Sequence, residues 1–317
     1  MQNTQGELPQ ICHTYVAADG GADYTSVQAA IDAVPLHNSG DVIIHIRPGV
    51  YEERIEVSGD KPWITLAGEG DRPEDTIISF AKYAGMTEEN GDITTTFRTA
   101  TVNVYANHFK AENLSIVNSY DGVSGGGGRQ ALALYASGEQ IQFENCVFRG
   151  LQDTVYAKDG SQLYHNCYIE GDVDFIFGGA RAVFEQCEIH SINVNPEDTN
   201  RGGYIAAPST PAAQKYGFLF DRCVMTGNNS DNTVFLGRPW HPGSDPMALG
   251  NCVFMHCELG SHIREDGWKS HMGGFLSKNA RLYEFENKGP GAAAHENRRQ
   301  LTPEQAQEYT KSRVLGW

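Results

Sequence analysis

Positive charge is scarce: 24 Lys and Arg face 40 Asp and Glu, a formal net charge of −16 at pH 7. So acidic a chain is a poor match for nucleic acid or an anionic membrane, both of which need a basic patch. Long apolar runs are missing too. Stretches such as Val42, Ile43 and Ile44 fall far short of the ~18 residues that cross a bilayer, and they suit buried strands instead. The first ten residues carry neither a positive n-region nor an apolar h-region, so the chain reads as a cytoplasmic protein or as the mature form of an exported one. The eleven histidines form no cluster with zinc-like spacing, and Cys-x-x-Cys does not occur. No metal and no other cofactor is expected. Pro- or Ser-rich linkers are absent as well, which leaves a single domain over 1–317 with a short N-terminal tail of about 1–10. The polar segments 81–98, 118–129 and 191–203 then become loops projecting from one body.

Glycine and a repeat are what the chain has in excess. There are 35 glycines, and four segments share one pattern: aromatic, polar, polar, Cys, variable, apolar, variable, then Gly or Ser. They run Phe143 to Gly150, Tyr164 to Gly171, Phe184 to Ser191 and Phe220 to Gly227, with weaker copies at Ala111 to Ile116 and Met255 to Gly260. The cysteine spacings are 21, 20, 36 and 34, the long gaps holding polar insertions. A period near 21 with short β-rich segments predicts an all-β fold, a right-handed single-stranded parallel β-helix whose inward residues stack in columns about 4.8 Å apart. The cysteines become small buried ladder positions. Cys167 and Cys187, one coil apart in that column, also fall within the Cα distance of a disulfide. Thr25 to Gln28 reads as a capping box starting a helix over 25–34 that closes one end of the stack. Thr302, Pro303 and Gln305 start a second helix, about 303–312, along the outside.

Register carries the functional argument. Asp153 lies seven residues after Cys146, and Asp174 seven after Cys167, so the two carboxylates should stack on consecutive coils. Two like charges about 5 Å apart in a partly desolvated groove cannot both ionise freely, and the pair divides into an acid and a base or nucleophile. Gln130 and Gln152 are separated by 22 residues, again about one coil, and form a candidate oxyanion hole beside the carboxylates. Asp172 is close in sequence to Asp174 and is read as structural, since strand alternation gives it the same facing only without a bend.

The segments Gly150-Leu-Gln-Asp153-Thr-Val-Tyr156, Asp172-Val-Asp174-Phe-Ile-Phe-Gly178, Tyr204-Ile-Ala-Ala-Pro-Ser-Thr210 and Leu236-Gly-Arg238-Pro-Trp240-His-Pro242 resemble the signature segments of pectin methylesterases, carbohydrate esterases built on a parallel β-helix. The likeness extends from Asp19 to Gly316, nearly the whole chain. It implies hydrolysis of the C6 methyl esters of pectin, with Asp174 as nucleophile, Asp153 as general acid and base, Gln130 and Gln152 as oxyanion donors, and Arg238 holding Asp174 ionised. It also implies a groove for the polymer lined by Tyr135, Tyr156, Phe177, Trp240, Trp268 and Met272, and a secreted or periplasmic monomer. The glycines Gly125 to Gly128 suggest a flexible loop beside that groove. Two other readings stay open from the residues alone: a glycoside hydrolase on the same solenoid, since carboxylate pairs also cleave glycosidic bonds, and a pectin binder or an esterase for another ester or thioester.

Overall fold

The computed structural model describes residues 11–122, 128–272 and 274–317. Short parallel strands recur around a coil and pair with the strands one coil above and below, which builds a parallel β-helix with three faces. One face holds Ile55–Val57, Val102–Val104, the first residues of the long strands Leu134–Glu144 and Val155–His165, then Val173–Gly178, Tyr204–Pro208 and Phe235–Gly237. A second runs from Cys12–Val16 through the far ends of those long strands to Arg281–Phe285. The third runs from Gly49–Glu52 to Glu258–Leu259. Among the described residues one strand pair is antiparallel, the small hairpin of His271–Met272 with Phe275–Leu276.

The repeat pattern acquires a physical meaning here. Its first aromatic points inward, and the rings stack coil on coil: Phe143 on Tyr164 at 4.9 Å between centroids, Tyr164 on Phe184 at 4.6 Å, Phe184 on Phe220 at 4.6 Å and Phe220 on Phe254 at 4.3 Å. Its second polar residue makes the corner between the second and third faces. Asn113, Asn145, Asn166, Gln186, Arg222 and His256 all take φ of 51 to 55°, the left-handed region that asparagine tolerates best after glycine. Asn145 donates from Nδ2 to Oδ1 of Asn113 (2.9 Å), and Asn166 to Oδ1 of Asn145 (3.3 Å), so the corner is tied from coil to coil.

The residue after each corner turns back inside, and the cysteine column is therefore buried. The Cys167–Cys187 disulfide is not formed: all seven cysteines are free thiols. Residues stacked in one column keep parallel Cα–Cβ vectors, so their Cβ atoms stay about 4.8 Å apart, whereas a disulfide wants them near 3.8 Å. Each thiol instead donates to a carbonyl of the preceding coil, Cys167 to Phe143 (3.5 Å) and Cys187 to Tyr164 (3.3 Å). A thiol reagent applied without reductant should modify one cysteine per native chain, the exposed Cys12, and all seven after denaturation. A count of five in denaturant would mean that a disulfide exists.

Both end helices form, with altered boundaries. The N-terminal helix spans Val27–Ala33 and buries Val27, Ala30 and Ile31 against the open end of the coil. Its cap is Ser26, not Thr25, and the reciprocal carboxylate is Glu53 rather than Gln28: Glu53 accepts from Ser26 Oγ (2.7 Å) and from the amides of Val27 (2.8 Å) and Gln28 (3.0 Å). A partner so distant in sequence leaves no local signal. At the other end the single helix over 303–312 becomes two, Pro303–Ala306 and Lys311–Leu315. Thr302 and Gln305 cap the first as expected, but Thr310 is extended and caps a new helix by accepting from the Arg313 amide, which breaks the run. Leu301, Ala306, Val314 and Leu315 pack on Val183, Leu219, Val253 and Met255, the outward side of the second face.

Candidate active site

The outward residues of the first face form one row, because Tyr135 pairs with Tyr156, Tyr156 with Phe177, and Phe177 with Ala207. Arg238 follows Gly237, the partner of Ala206, and so extends the row by one coil. At the start of these strands the regular ladder fails. Gln130 and Gln152 make a lone parallel bridge, and between Val173 and Ile176 the strand holds one residue more than its neighbour, a bulge. Asp153 and Asp174 sit at these irregular places with φ of 66° and 51°. Left-handed backbone is uncommon for residues other than glycine and clusters at functional sites, where it aims a side chain out of the sheet.

Out of the sheet lies a pocket. Gln130, Gln152, Asp153, Asp174 and Arg238 line a cavity of about 200 Å³ together with Thr96, Phe97, Phe177, Ala207 and Trp240. A larger hollow of about 500 Å³ beside the C-terminal helices is lined by ion pairs such as exposed Arg222 with buried Glu185, and it gathers no such pair of buried carboxylates. Asp174, 4% exposed, takes a bidentate grip from Arg238, Nε to Oδ1 at 2.9 Å and Nη2 to Oδ2 at 2.5 Å. That fork is the strongest fixed hold a side chain offers a carboxylate.

Charge separates the two acids. Burial pushes the Asp153 carboxyl up to about 8, and the negative charge of Asp174 adds to the push while Arg238 opposes it from a distance. Burial raises Asp174 as well, but there the Arg238 charge and its hydrogen bonds act directly against it. One proton shared between the pair near neutral pH therefore resides on Asp153, leaving Asp174 as the carboxylate. Among the described residues no group of three or more His, Cys, Asp or Glu is arranged to hold a metal ion.

The aromatic residues divide. Phe177 and Trp240 line the pocket, edge to face at 5.4 Å. Tyr156 stacks on Phe177 at 4.4 Å, and Tyr135 meets Tyr156 edge-on at 5.1 Å, so both belong to the same outward cluster without lining the cavity. Trp268 is a correction: it is 1% exposed inside the coil, edge-on to Phe254, with its indole N–H donated to Glu284. Parallel alternation turns it inward, since it pairs with the inward-side Gly237. Met272 lies in the small hairpin, and its side chain is outside the described residues; most of the expected glycine loop, 123–127, is outside them too.

Sequence reasoning missed Phe97 and Thr96, which reach the pocket from the 81–98 loop on a short turn of Thr96–Arg98. An aromatic in a polar loop has no periodicity to reveal it; only its 45% exposure in the fold marks it. Asp172 is structural in a stronger sense than expected. It is 2% exposed and held by two arginines, Arg129 at 2.5 Å and Arg201 at 3.3 Å.

Comparison with known proteins adds an independent line. The family model described as Pectinesterase matches residues 13–316. Pectinesterase 31 of Arabidopsis thaliana is 37% identical over 286 residues, covering 89% of this chain and 84% of that protein. Pectinesterase A of Dickeya chrysanthemi is 32% identical, covering 95% and 89%. Among solved structures, pectin methylesterase PemA from Erwinia chrysanthemi superposes with a TM-score of 0.87 at 32% identity over 96% of this chain and 97% of that one. A pectin methylesterase in complex with a hexasaccharide superposes with a TM-score of 0.86 at 31% identity, over 96% and 97%.

Proposed function

Because the chain belongs to the pectinesterase family, we propose that Asp174 attacks the methyl esters of pectin while Asp153 handles the proton. The chain is a carboxylic ester hydrolase that converts methylated pectin to de-esterified pectin and methanol. In the first step an Asp174 oxygen adds to the C6 carbonyl of a methylated galacturonate, and the carbonyl oxygen takes the negative charge. The side-chain amides of Gln130 and Gln152 stabilise that oxyanion. The C–O bond to the methoxy group then breaks, Asp153 supplies its proton, and methanol leaves an acyl-enzyme on Asp174. Asp153, now a carboxylate, takes a proton from water as that water adds to the acyl carbon. Collapse then breaks the bond to Asp174, which leaves as a carboxylate and releases the galacturonic acid, with Asp153 already reprotonated.

The observation that carries this division is the asymmetry of the pair: one buried carboxylate is gripped by Arg238, and its neighbour is driven up to about 8. Methylated pectin incubated with the protein should give methanol without new reducing ends. New reducing ends without methanol would instead mark a glycosidase.

The same reading extends to setting. We read 1–317 as one domain, because a single buried cluster runs from Val16 to Leu282. A monomer is our reading, since Gln130, Gln152, Asp153, Asp174 and Arg238 gather at one pocket within a single coil stack. A secreted or periplasmic location follows from a polymer substrate held outside the cell. Free thiols are no bar to it, because six of the seven are buried beneath the coil wall, out of reach of exchange.

A further inference from the structure

The pocket has a charged support that the mechanism does not use. Asp172 lies under it, two residues before Asp174, almost fully buried. Both arginine contacts fall on Oδ2, from Nη2 of Arg129 and from Nη2 of Arg201, while Oδ1 is buried without a hydrogen-bond partner among the described residues. The Asp172 amide donates to the Leu151 carbonyl, so its backbone is fixed to the coil that bears Gln152 and Asp153. Arg129 is the residue before Gln130, and Arg201 closes the 191–203 loop just before Gly203, which is pressed so tightly on the Asp172 carbonyl that no side chain fits there. One rigid carboxylate thus ties two loop ends to the floor of the site.

A surface pair of this kind would count for little, since exposed ion pairs are worth about 0–1 kcal/mol. Here the acceptor is desolvated, and an acid buried with one oxygen unpaired is costly to keep. Three apolar residues in place of the whole Arg129–Asp172–Arg201 cluster would often serve stability as well or better. Position decides the matter. Gln130 rests on a single isolated bridge to Gln152 rather than on a full strand ladder, and its carbonyl accepts from the Ala84 amide in a loop. The side chain beside it is the one that Asp172 holds. An oxyanion donor must be placed to a fraction of an ångström to be effective.

We propose that Asp172 is a positioning residue for ester hydrolysis: through Arg129 it sets the Gln130 amide over the Asp153–Asp174 pocket, and through Arg201 it anchors the neighbouring loop to the same point. This rests on the oxyanion role given to Gln130 above. Asp172 carries negative charge close to both acids and helps to raise each of them, in keeping with its nearness to the reacting groups.

The test is a mutant cycle on highly methylated pectin, reading methanol release. Asp172→Asn and Arg129→Gln should each lower kcat about tenfold with KM within about twofold, because the loss concerns the transition state and not the polymer's grip. In a Gln130→Ala background Asp172→Asn should change kcat by less than about twofold, since the group it positions is gone. An equal tenfold loss in both backgrounds, or unchanged kcat in both single variants, overturns the inference. If Asp172→Asn does not fold, Arg129→Gln, at a half-exposed side chain, serves in the same cycle. Gln130→Ala with undiminished kcat would remove the oxyanion role and this inference together; Gln130→Ala impaired beside a multiplicative Asp172→Asn removes only the positioning.

Discussion

Asp174→Asn should lower methanol release by at least about 10³-fold while the melting temperature stays where it was or rises. The activity half of this expectation is a matter of nucleophilicity: an amide oxygen cannot form the acyl-enzyme, and no other carboxylate occupies its place, because Asp153 lacks the Arg238 fork. The stability half follows from the site's own tension. Burial outweighs Arg238 and leaves Asp174 raised above the usual carboxylate range, so the ionised side chain is less welcome in the folded protein than in water. Asparagine has the same shape, tolerates φ of 51°, and still offers one oxygen to the guanidinium. Against this stands the loss of a partner for Arg238, whose side chain retains 15% exposure and so some access to water. The two effects oppose. Residual activity above a few per cent of the parent would mean that Asp174 is not the nucleophile. A folded variant without activity distinguishes lost chemistry from lost structure, which alanine, with its cavity and stranded guanidinium, would confuse.

The coil was legible wherever its physics is periodic. Aromatic and cysteine positions repeat because every coil places the same inward slots above one another, and that register is what put Asp153 beside Asp174 and Gln130 beside Gln152. Legibility ended where a partner lies far away in sequence. Glu53 replaces Gln28 at the helix cap, Thr310 interrupts the last helix, and Phe97 enters the pocket from a loop that obeys no period. The left-handed corner was written in the repeat as a polar residue before each cysteine, yet polarity alone does not distinguish a corner from an exposed strand position. Trp268 marks another limit. It lies near the site's motifs in sequence, but facing is set by alternation along its own strand, and one residue's difference turns a groove side chain into a core one. The disulfide failed for a related reason: Cα spacing admitted it, and the parallel Cβ directions of a stacked column did not.

Asp153→Asn should cost about 10²- to 10⁴-fold in activity, the usual worth of a general acid and base, and should stabilise the protein at neutral and alkaline pH. The sign comes from linkage. The carboxyl's ordinary value of 3.8 rises to about 8 in the fold, so between those limits the folded protein keeps a proton that the unfolded chain has lost. Stability then falls as pH rises through that window, the slope being set by the difference in bound protons, and it levels off above about 8 where both states are ionised. Asparagine carries no such charge. The variant's melting temperature should therefore match the parent's at the acid end and exceed it increasingly towards pH 8, the underlying stability difference being at most about 6 kcal/mol. Activity follows the same proton in the opposite role. Acylation needs Asp153 protonated and Asp174 ionised, so the parent's kcat/KM should fall on the alkaline side with an apparent pKa near 8 and on the acid side as Asp174 takes up its proton. Parallel melting curves for parent and variant from pH 5 to 9, or a kcat/KM that stays level to pH 10, would mean that Asp153 is ionised in the resting enzyme and cannot be the acid. Arg238 is the decisive neighbour of the pair, because its two-point grip on Asp174 works against the burial that raises both carboxyls.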